Sequence, residues 1–285
     1  MNGKKKETGK VLSQKMIAPD IYDLWIESSL AERAGCGQFV GVYPKNGAML
    51  LPRPISICQV KKPGEQLAGS PAEEGSVEEI CALQDEKTAA LRLVYRIAGK
   101  GTAEFSSLKA GDEVELLGVL GNGFPVAEAA GKRVVLMGGG IGIPPMLQLA
   151  KELKEAGNEP VAILGYRDSR LFLKEDLDLY GKVLIATEDG SVGTKGNVLT
   201  AMKEEGVEAD VIMACGPMPM LRAIKAYAEE KGIVAYISLE ERMACGVGAC
   251  LGCVCKTTKK DHHSHVNNAR ICTDGPVFDA REVDI

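Results

Sequence analysis

Five cysteines crowded near the C-terminus restrict this chain more than any other feature of it. Cys245, Cys250, Cys253, Cys255 and Cys272 gather there, whereas Cys36, Cys58, Cys81 and Cys215 are scattered. Three follow the spacing Cys245-x4-Cys250-x2-Cys253, and Cys272 comes after eighteen further residues. A C-x4-C-x2-C run with a distant fourth cysteine is the plant-type spacing for a [2Fe–2S] cluster. Such a loop must bring three thiolates together and turn backbone amides toward the sulfurs. Gly246, Gly248 and Gly252 suit that, because tight wrapping calls for left-handed backbone without Cβ clashes. Cys245, Cys250, Cys253 and Cys272 are therefore the expected metal ligands, with Cys272 carried in by a returning strand that ends at Asp274-Gly275. Structural zinc and plain buried thiols are the competing readings; zinc favours matched C-x2-4-C pairs, and one tight pair is present here. Cys255 would point the same way as Cys253 on an extended chain, yet the ligand pattern is complete without it. The three histidines, His262, His263 and His265, lie between Cys253 and Cys272. Rieske clusters use two histidines, but four cysteines already suffice, so these are expected in a solvated loop.

A chain of 285 residues exceeds one average domain, so two domains and an appendage are expected. A net charge of −5 with no basic stripe argues against nucleic acid as a partner. No stretch approaches the roughly 18 apolar residues of a membrane span, and Met1–Lys10 lacks the apolar core of a signal peptide. A cytoplasmic protein is expected, in which clustered thiols hold metal rather than disulfides.

The first third reads as short strands broken by Gly and Pro, without a convincing helix, which suggests a small antiparallel barrel. Residues 91–97 alternate, and 112–117 follow a Gly111-Asp112 turn. Residues 61–79, polar and rich in Gly, Pro and Ser, read as a surface loop. From Gly131 the pattern changes. The apolar run Val134–Met137 meets a glycine-rich turn, and a helix opens at Pro144-Pro145 with Met146, Leu149, Ala150 and Leu153 on its buried stripe and Gly157 as its stop. Further strands are expected at 161–166, 183–187, 211–214 and 234–238, with helices near 197–205 and 218–231. Strand–helix alternation implies a parallel sheet covered on both faces.

Arg53-Pro54-Ile55-Ser56 sits on a candidate barrel strand, where a forked guanidinium could pair with a pyrophosphate and Ser56 could reach a flavin ring. Val94-Tyr95-Arg96 and Gly101-Thr102 add an aromatic ring, a second arginine and a small-residue turn; together they make a plausible FAD cradle. Gly138, Gly139, Gly140, Gly142 and Pro145 form a strand-to-helix turn where a phosphate-binding loop belongs, although proline replaces the last glycine of G-x-G-x-x-G. Cys215, Gly216 and Pro217 repeat the arrangement at a later strand, with Cys215 expected to shape the pocket. Past the second strand, Tyr166-Arg167-Asp168-Ser169-Arg170 offers both an acid suited to an NAD ribose and arginines suited to a 2′-phosphate.

Together these motifs resemble the ferredoxin reductase family: R-P-x-S at Arg53–Ser56, G-x-G-x-x-P at Gly140–Pro145 and C-G-P at Cys215–Pro217. Glu241–Cys250 and Ile271–Phe278 narrow the likeness to the electron-transfer subunits of class 1B, NAD-dependent dihydroorotate dehydrogenases. The resemblance implies an antiparallel FAD-binding β-barrel over 1–126, a parallel nicotinamide-binding αβα sheet over 127–238 and a small [2Fe–2S] domain over 239–285. It implies FAD held by Arg53, Pro54, Ile55, Ser56, Val94, Tyr95, Arg96, Gly101 and Thr102, and NAD as the coenzyme. It also implies a separate FMN-containing catalytic subunit that oxidises dihydroorotate, in a heterotetramer with two of each chain, so that no catalytic side chain is expected here. The 61–79 loop is longer than the family pattern leads one to expect. Two alternatives stand beside this: a flavin/iron–sulfur subunit of an NADPH-dependent ferredoxin or sulfite reductase, and a zinc-stabilised flavoprotein acting as a binding or redox-sensing module.

Overall fold

The computed structural model describes residues 5–67, 83–260 and 265–285. Six strands close an antiparallel barrel: β1 (Lys5–Ala18), β2 (Ile21–Glu27), β3 (Phe39–Tyr43), β4 (Arg53–Lys61), β5 (Ala90–Arg96) and β6 (Glu113–Leu120), in the order β1-β2-β5-β4-β3-β6. Alternation along β5 builds two cores at once. Leu91, Leu93 and Tyr95 fill the barrel with Val11, Ile26, Val40 and Leu116, while Val94 faces the neighbouring layer. One expectation fails here, because Lys100–Phe105 forms a helix, α1, where none was foreseen. Six residues carry too little periodicity to be read as helix; the Thr102 hydroxyl organises the turn by accepting from the N–H groups of Ala98 and Gly99. Lys61 also departs from its expected surface loop. It closes β4, fully buried, and its Nζ donates to the carbonyls of Asp85 and Thr88 at 2.8 Å. Residues 68–79 of that loop, and His262 and His263, lie outside the described residues.

The second layer is a seven-stranded sheet in the order β10-β9-β8-β7-β11-β12-β15, its last strand being Val277–Asp279. Its parallel strands are β7 (Val134–Gly139), β8 (Val161–Tyr166), β9 (Lys182–Thr187), β10 (Thr194–Lys195), β11 (Val211–Cys215) and β12 (Val234–Ser238). Helix α2 (Pro144–Glu155) covers one face; α3 (Lys174–Asp178) lies beside it, and α4 (Val198–Glu204) and α5 (Met218–Lys231) cover the other face. The predicted stripe of α2 is buried as expected, but Gln148 and Lys151 on its polar side are buried too, at 3% and 7% exposure. They face the barrel: Gln148 Oε1 accepts from Val60 N–H at 2.8 Å, and Lys151 Nζ donates to the Val60 carbonyl at 3.1 Å. Two side chains thus satisfy backbone groups at a strand edge that would otherwise be buried without partners.

The cysteine segment leaves β12, forms a hairpin from β13 (Val254–Lys256) and β14 (Asn268–Arg270), and returns as β15 (Val277–Asp279). β15 pairs antiparallel with β12, Phe278 opposite Ile237, closing the edge of an otherwise parallel sheet. Among the described residues no helix is long and apolar enough to cross a membrane.

Candidate functional site

The start of β4 has an unusual exposure pattern. Arg53, Pro54, Ile55 and Ser56 are half-buried in succession, whereas the following five residues are buried. Such a strip is too apolar for open water and too accessible for a core, which suits a flat ligand. Arg53 packs directly on Gly101, where a Cβ would lie 2.5 Å from Arg53 Nε. The antiparallel β4–β5 pairing, with Ile57 opposite Leu93, brings Val94, Tyr95 and Arg96 alongside. Their side chains are not equivalent. The Tyr95 ring is 2% exposed, stacked on Tyr22 and edge-on to Phe105, with its hydroxyl donating to Gln14 Oε1. It offers a ligand its backbone, not its ring. Val94 is likewise core, and the Thr102 hydroxyl is occupied within its own turn. Arg96 projects into the open.

A cavity of about 720 Å³ lies at the C-terminal ends of the parallel strands, where open α/β sheets bind their ligands. Gly139, Gly140, Gly216 and Pro217 line it, with Arg96 from the barrel and Glu240 beyond β12. Gly138, Gly142, Pro145 and Cys215 do not line it; they sit beneath. Gly142 is a close approach in the strict sense: a Cβ there would lie 2.3 Å from the Cys215 carbonyl oxygen and 2.6 Å from Gly216 N. The two turns read separately in the sequence therefore pack backbone against backbone. Cys215 is 1% exposed and burial pushes its thiol pKa well up, so it shapes the floor without reacting. Glu240 went unnoticed in the sequence, where position just past the last parallel strand was its one signal. Crowding by the cleft walls raises its carboxyl pKa, and Arg96 works against the rise.

In the tail, the four predicted ligands meet as two pairs, Cys245 with Cys250 and Cys253 with Cys272. Among the described residues no three His, Cys, Asp or Glu side chains converge as a single ion requires. Two thiols for each of two irons is the arrangement that a [2Fe–2S] cluster needs. Backbone N–H groups of Val247 and Cys250 reach Cys245 Sγ at 3.4 Å, and Gly252 N–H reaches Cys250 Sγ at 3.4 Å. Gly246 and Gly248 adopt the expected positive φ of 65° and 82°, whereas Gly252 does not. Desolvation opposes ionisation of Cys245, but the amides of Val247 and Cys250 and the Cys250 thiol prevail and bring its pKa to about 6. Desolvation and the neighbouring Cys253 hold Cys272 at about 11. A thiol poised to ionise, Cys245, thus stands in the same set as one held neutral, Cys272. Cys255 belongs to the β13–β14 hairpin, opposite Ala269. His265 is exposed with φ 56°.

The tail is seated against the barrel. A Cβ on Gly246 would touch Leu120 at 3.2 Å, and Asn122 Nδ2 donates to the carbonyls of Thr273 and Asp274 at 3.2 and 3.0 Å. Phe39 joins the two sites: it pairs with Ser56 on one side and Leu120 on the other, and packs in the core that holds Cys253 and Cys272.

Comparison with known proteins identifies what the chain is similar to. Residues 240–284 match the family described as the iron-sulfur cluster binding domain of dihydroorotate dehydrogenase B. The chain is 40% identical over 282 residues to the dihydroorotate dehydrogenase B (NAD(+)) electron transfer subunit of Bacillus caldolyticus, covering 98% of each. It is 39% identical to that of Streptococcus pneumoniae, covering 95% of this chain and 96% of the other. Among solved structures, a chain of the NADH-dependent reduced ferredoxin-NADP oxidoreductase superposes with a TM-score of 0.76 at 28% identity, covering 100% of this chain and 91% of that one. A ferredoxin NADP+ reductase from Neisseria gonorrhoeae shares the fold, with a TM-score of 0.60 at 18% identity over 84% of this chain and 95% of that one. The chain belongs to the family of electron transfer subunits of dihydroorotate dehydrogenase B (NAD(+)).

Proposed function

We propose that this chain carries electrons between a catalytic dihydroorotate dehydrogenase subunit and NAD⁺, as an oxidoreductase subunit of pyrimidine biosynthesis. The observation that carries this is the continuity of the three sites: cysteine pairs, half-buried flavin strip and strand-end cleft share walls through Phe39, Leu120 and Arg96. The cluster, when bound, supplies one-electron transfer, and the flavin supplies the junction between single electrons and hydride.

The residues supply position. Arg53, braced on Gly101, would pair with the FAD pyrophosphate, and Pro54, Ile55 and Ser56 would lie along the flavin. Val94, Tyr95 and Thr102 would contribute backbone and shape, and Arg96 a charge at the boundary with the cleft. Gly139, Gly140, Gly216 and Pro217 would admit NAD(H) closely, on a floor fixed by Gly138, Gly142, Pro145 and Cys215. Cys245, Cys250, Cys253 and Cys272 would hold the cluster. We further propose an FMN-containing catalytic partner, a heterotetramer with two of each chain, a cytoplasmic location, and domains over 1–126, 127–238 and 239–285, the last returning β15 to the sheet of the second. The paired thiols favour two irons over the zinc-stabilised alternative. Full-length relatives named for NAD(+) favour this role over an NADPH-dependent ferredoxin or sulfite reductase subunit.

Anaerobic purification with the companion chain from the native host tests the reading. FAD, iron and sulfide in this chain and FMN in the other are the expected result; zinc without iron and sulfide overturns the cluster, and strong NADPH preference overturns the assignment. The floor of the cleft has its own prediction. Gly142→Ala must displace backbone, not a side chain, so it should cost about 1–3 kcal/mol of stability. It should also raise KM for NADH several-fold while leaving FAD content unchanged, as steady-state assays with an artificial acceptor and flavin analysis will report.

A further inference from the structure

The parallel pairing of β8 and β9 puts Tyr166 opposite Thr187, so the two chains leave the sheet side by side. Glu188 N–H donates to the Tyr166 carbonyl at 3.1 Å and Asp189 N–H to the Arg167 carbonyl at 3.4 Å. Arg167, Asp168, Arg170 and Glu188 line this end of the cleft. Two cations and two anions decide nothing by number; their arrangement does. Asp168 Oδ1 accepts from the Arg170 backbone N–H at 3.1 Å and from Arg170 Nε at 2.7 Å, and Oδ2 pairs with Nη2. The Nε–Nη2 edge of Arg170, the edge that would grip an oxyanion with two parallel bonds, is thereby occupied. The hydrogen bonds from Arg170 hold the Asp168 carboxyl at about 2, so it stays ionised at any working pH. Glu188 is exposed, and no side-chain hydrogen bond engages it among the described residues. Asp189, by contrast, is taken up by Ser191.

We propose that Asp168, together with Glu188, selects NAD(H) against NADP(H) by occupying Arg170 and by presenting carboxylates to the adenosine ribose. This rests on the reading of the cleft as the NAD(H) site. Ribose hydroxyls donate to such carboxylates, whereas a 2′-phosphate meets two like charges and an arginine already paired. Arg170 is therefore a latent phosphate receptor, silenced by its neighbour two residues away. Arg167 also acts on the Asp168 carboxyl, more weakly than Arg170 does.

The test uses FAD-loaded protein and two probes, ADP-ribose and 2′-phospho-ADP-ribose, titrated by calorimetry, with NADH and NADPH oxidation by an artificial acceptor alongside. Wild type should bind ADP-ribose the more tightly. Asp168→Ser should weaken ADP-ribose by about tenfold and tighten the 2′-phosphate form by about tenfold, the scale of one charged hydrogen bond. Adding Arg170→Ala should abolish that gain. An unchanged probe ratio in Asp168→Ser, or a gain that persists without Arg170, overturns the proposal while NADH oxidation by wild type leaves the cleft reading intact. Wild type that neither binds ADP-ribose nor oxidises NADH overturns both.

Discussion

Cys253→Ser is expected to remove most of the cluster's visible absorbance and most of the iron and sulfide, whereas Cys255→Ser should retain nearly all of both. The two cysteines are two residues apart, and sequence parity alone would aim them alike. The hairpin separates them. Cys253 is 3% exposed, faces Cys272 and lies in the core with Ile271 and Phe278. Cys255 is already inside β13, paired with Ala269, and desolvation raises its thiol pKa. Desolvation raises Cys272 as well, so partners and not acidity separate the two: Cys253 meets Cys272, whereas Cys255 is committed to the hairpin. Serine at Cys253 leaves an alcohol, a poor thiolate substitute, and strands its partner Cys272. Cys250, exposed and supported by the Gly252 amide, should tolerate serine somewhat better than Cys253. Iron and sulfide analysis after anaerobic purification, with visible spectra of the three variants, measures this. Equal loss from Cys253→Ser and Cys255→Ser would show the tail to be wired differently.

The meeting of Cys245, Cys250, Cys253 and Cys272 was legible in the sequence because it depends largely on local spacing. Parallel strands β7, β8, β9, β11 and β12 were legible too, since each reads as a largely continuous apolar run, whereas the two polar residues of β10 carry no such signal. What escaped was determined by contacts between layers. Gln148 and Lys151 look like the wet side of α2 and are buried because β4 needs partners there. Lys61 looks like the start of a polar loop and is buried because two carbonyls hold its ammonium. Tyr95 looks like a ring for a cofactor; strand alternation turns that ring into the barrel, a parity countable from Leu91 and Leu93. Gly142 belongs to the coenzyme turn by motif, but its reason for being glycine, the Cys215 backbone, is far away in sequence. Glu240 and Glu188 carry no motif at all, and their place on the cleft wall emerges only once strand order is known.

Asp23→Ala should be the most destabilising single change in the body of the protein, at about 3–5 kcal/mol. Arg92 leaves β5 toward the second layer with a side chain only 5% exposed, and Asp23 on β2 is 1% exposed. Arg92 Nε lies 3.1 Å from both Asp23 carboxylate oxygens and Nη2 lies 2.8 Å from Oδ2. Nη1 turns to Gln59 Oε1 at 3.2 Å and to Asp176 of α3 at 2.5 Å, so one guanidinium ties two barrel strands to the nucleotide layer. Its face rests over Trp25, with Cζ 5.7 Å from the ring centroid. Burial by itself would lower the arginine's pKa, but Asp23 and its neighbours raise it further above its ordinary value. Losing Asp23 cannot be relieved by deprotonation, and the guanidinium is left buried with one half-exposed partner. Asp23→Leu combined with Arg92→Leu should recover much of the loss, because a buried pair exchanged for apolar side chains is often close to neutral. Asp176→Asn should cost less than Asp23→Ala, since its carboxylate is 27% exposed and keeps a hydrogen-bonding oxygen. Denaturant titrations followed by circular dichroism, with flavin release as a second signal, measure all three variants. If Asp23→Ala loses no more stability than Asp176→Asn, the pair is not the clamp between barrel and sheet that its burial implies.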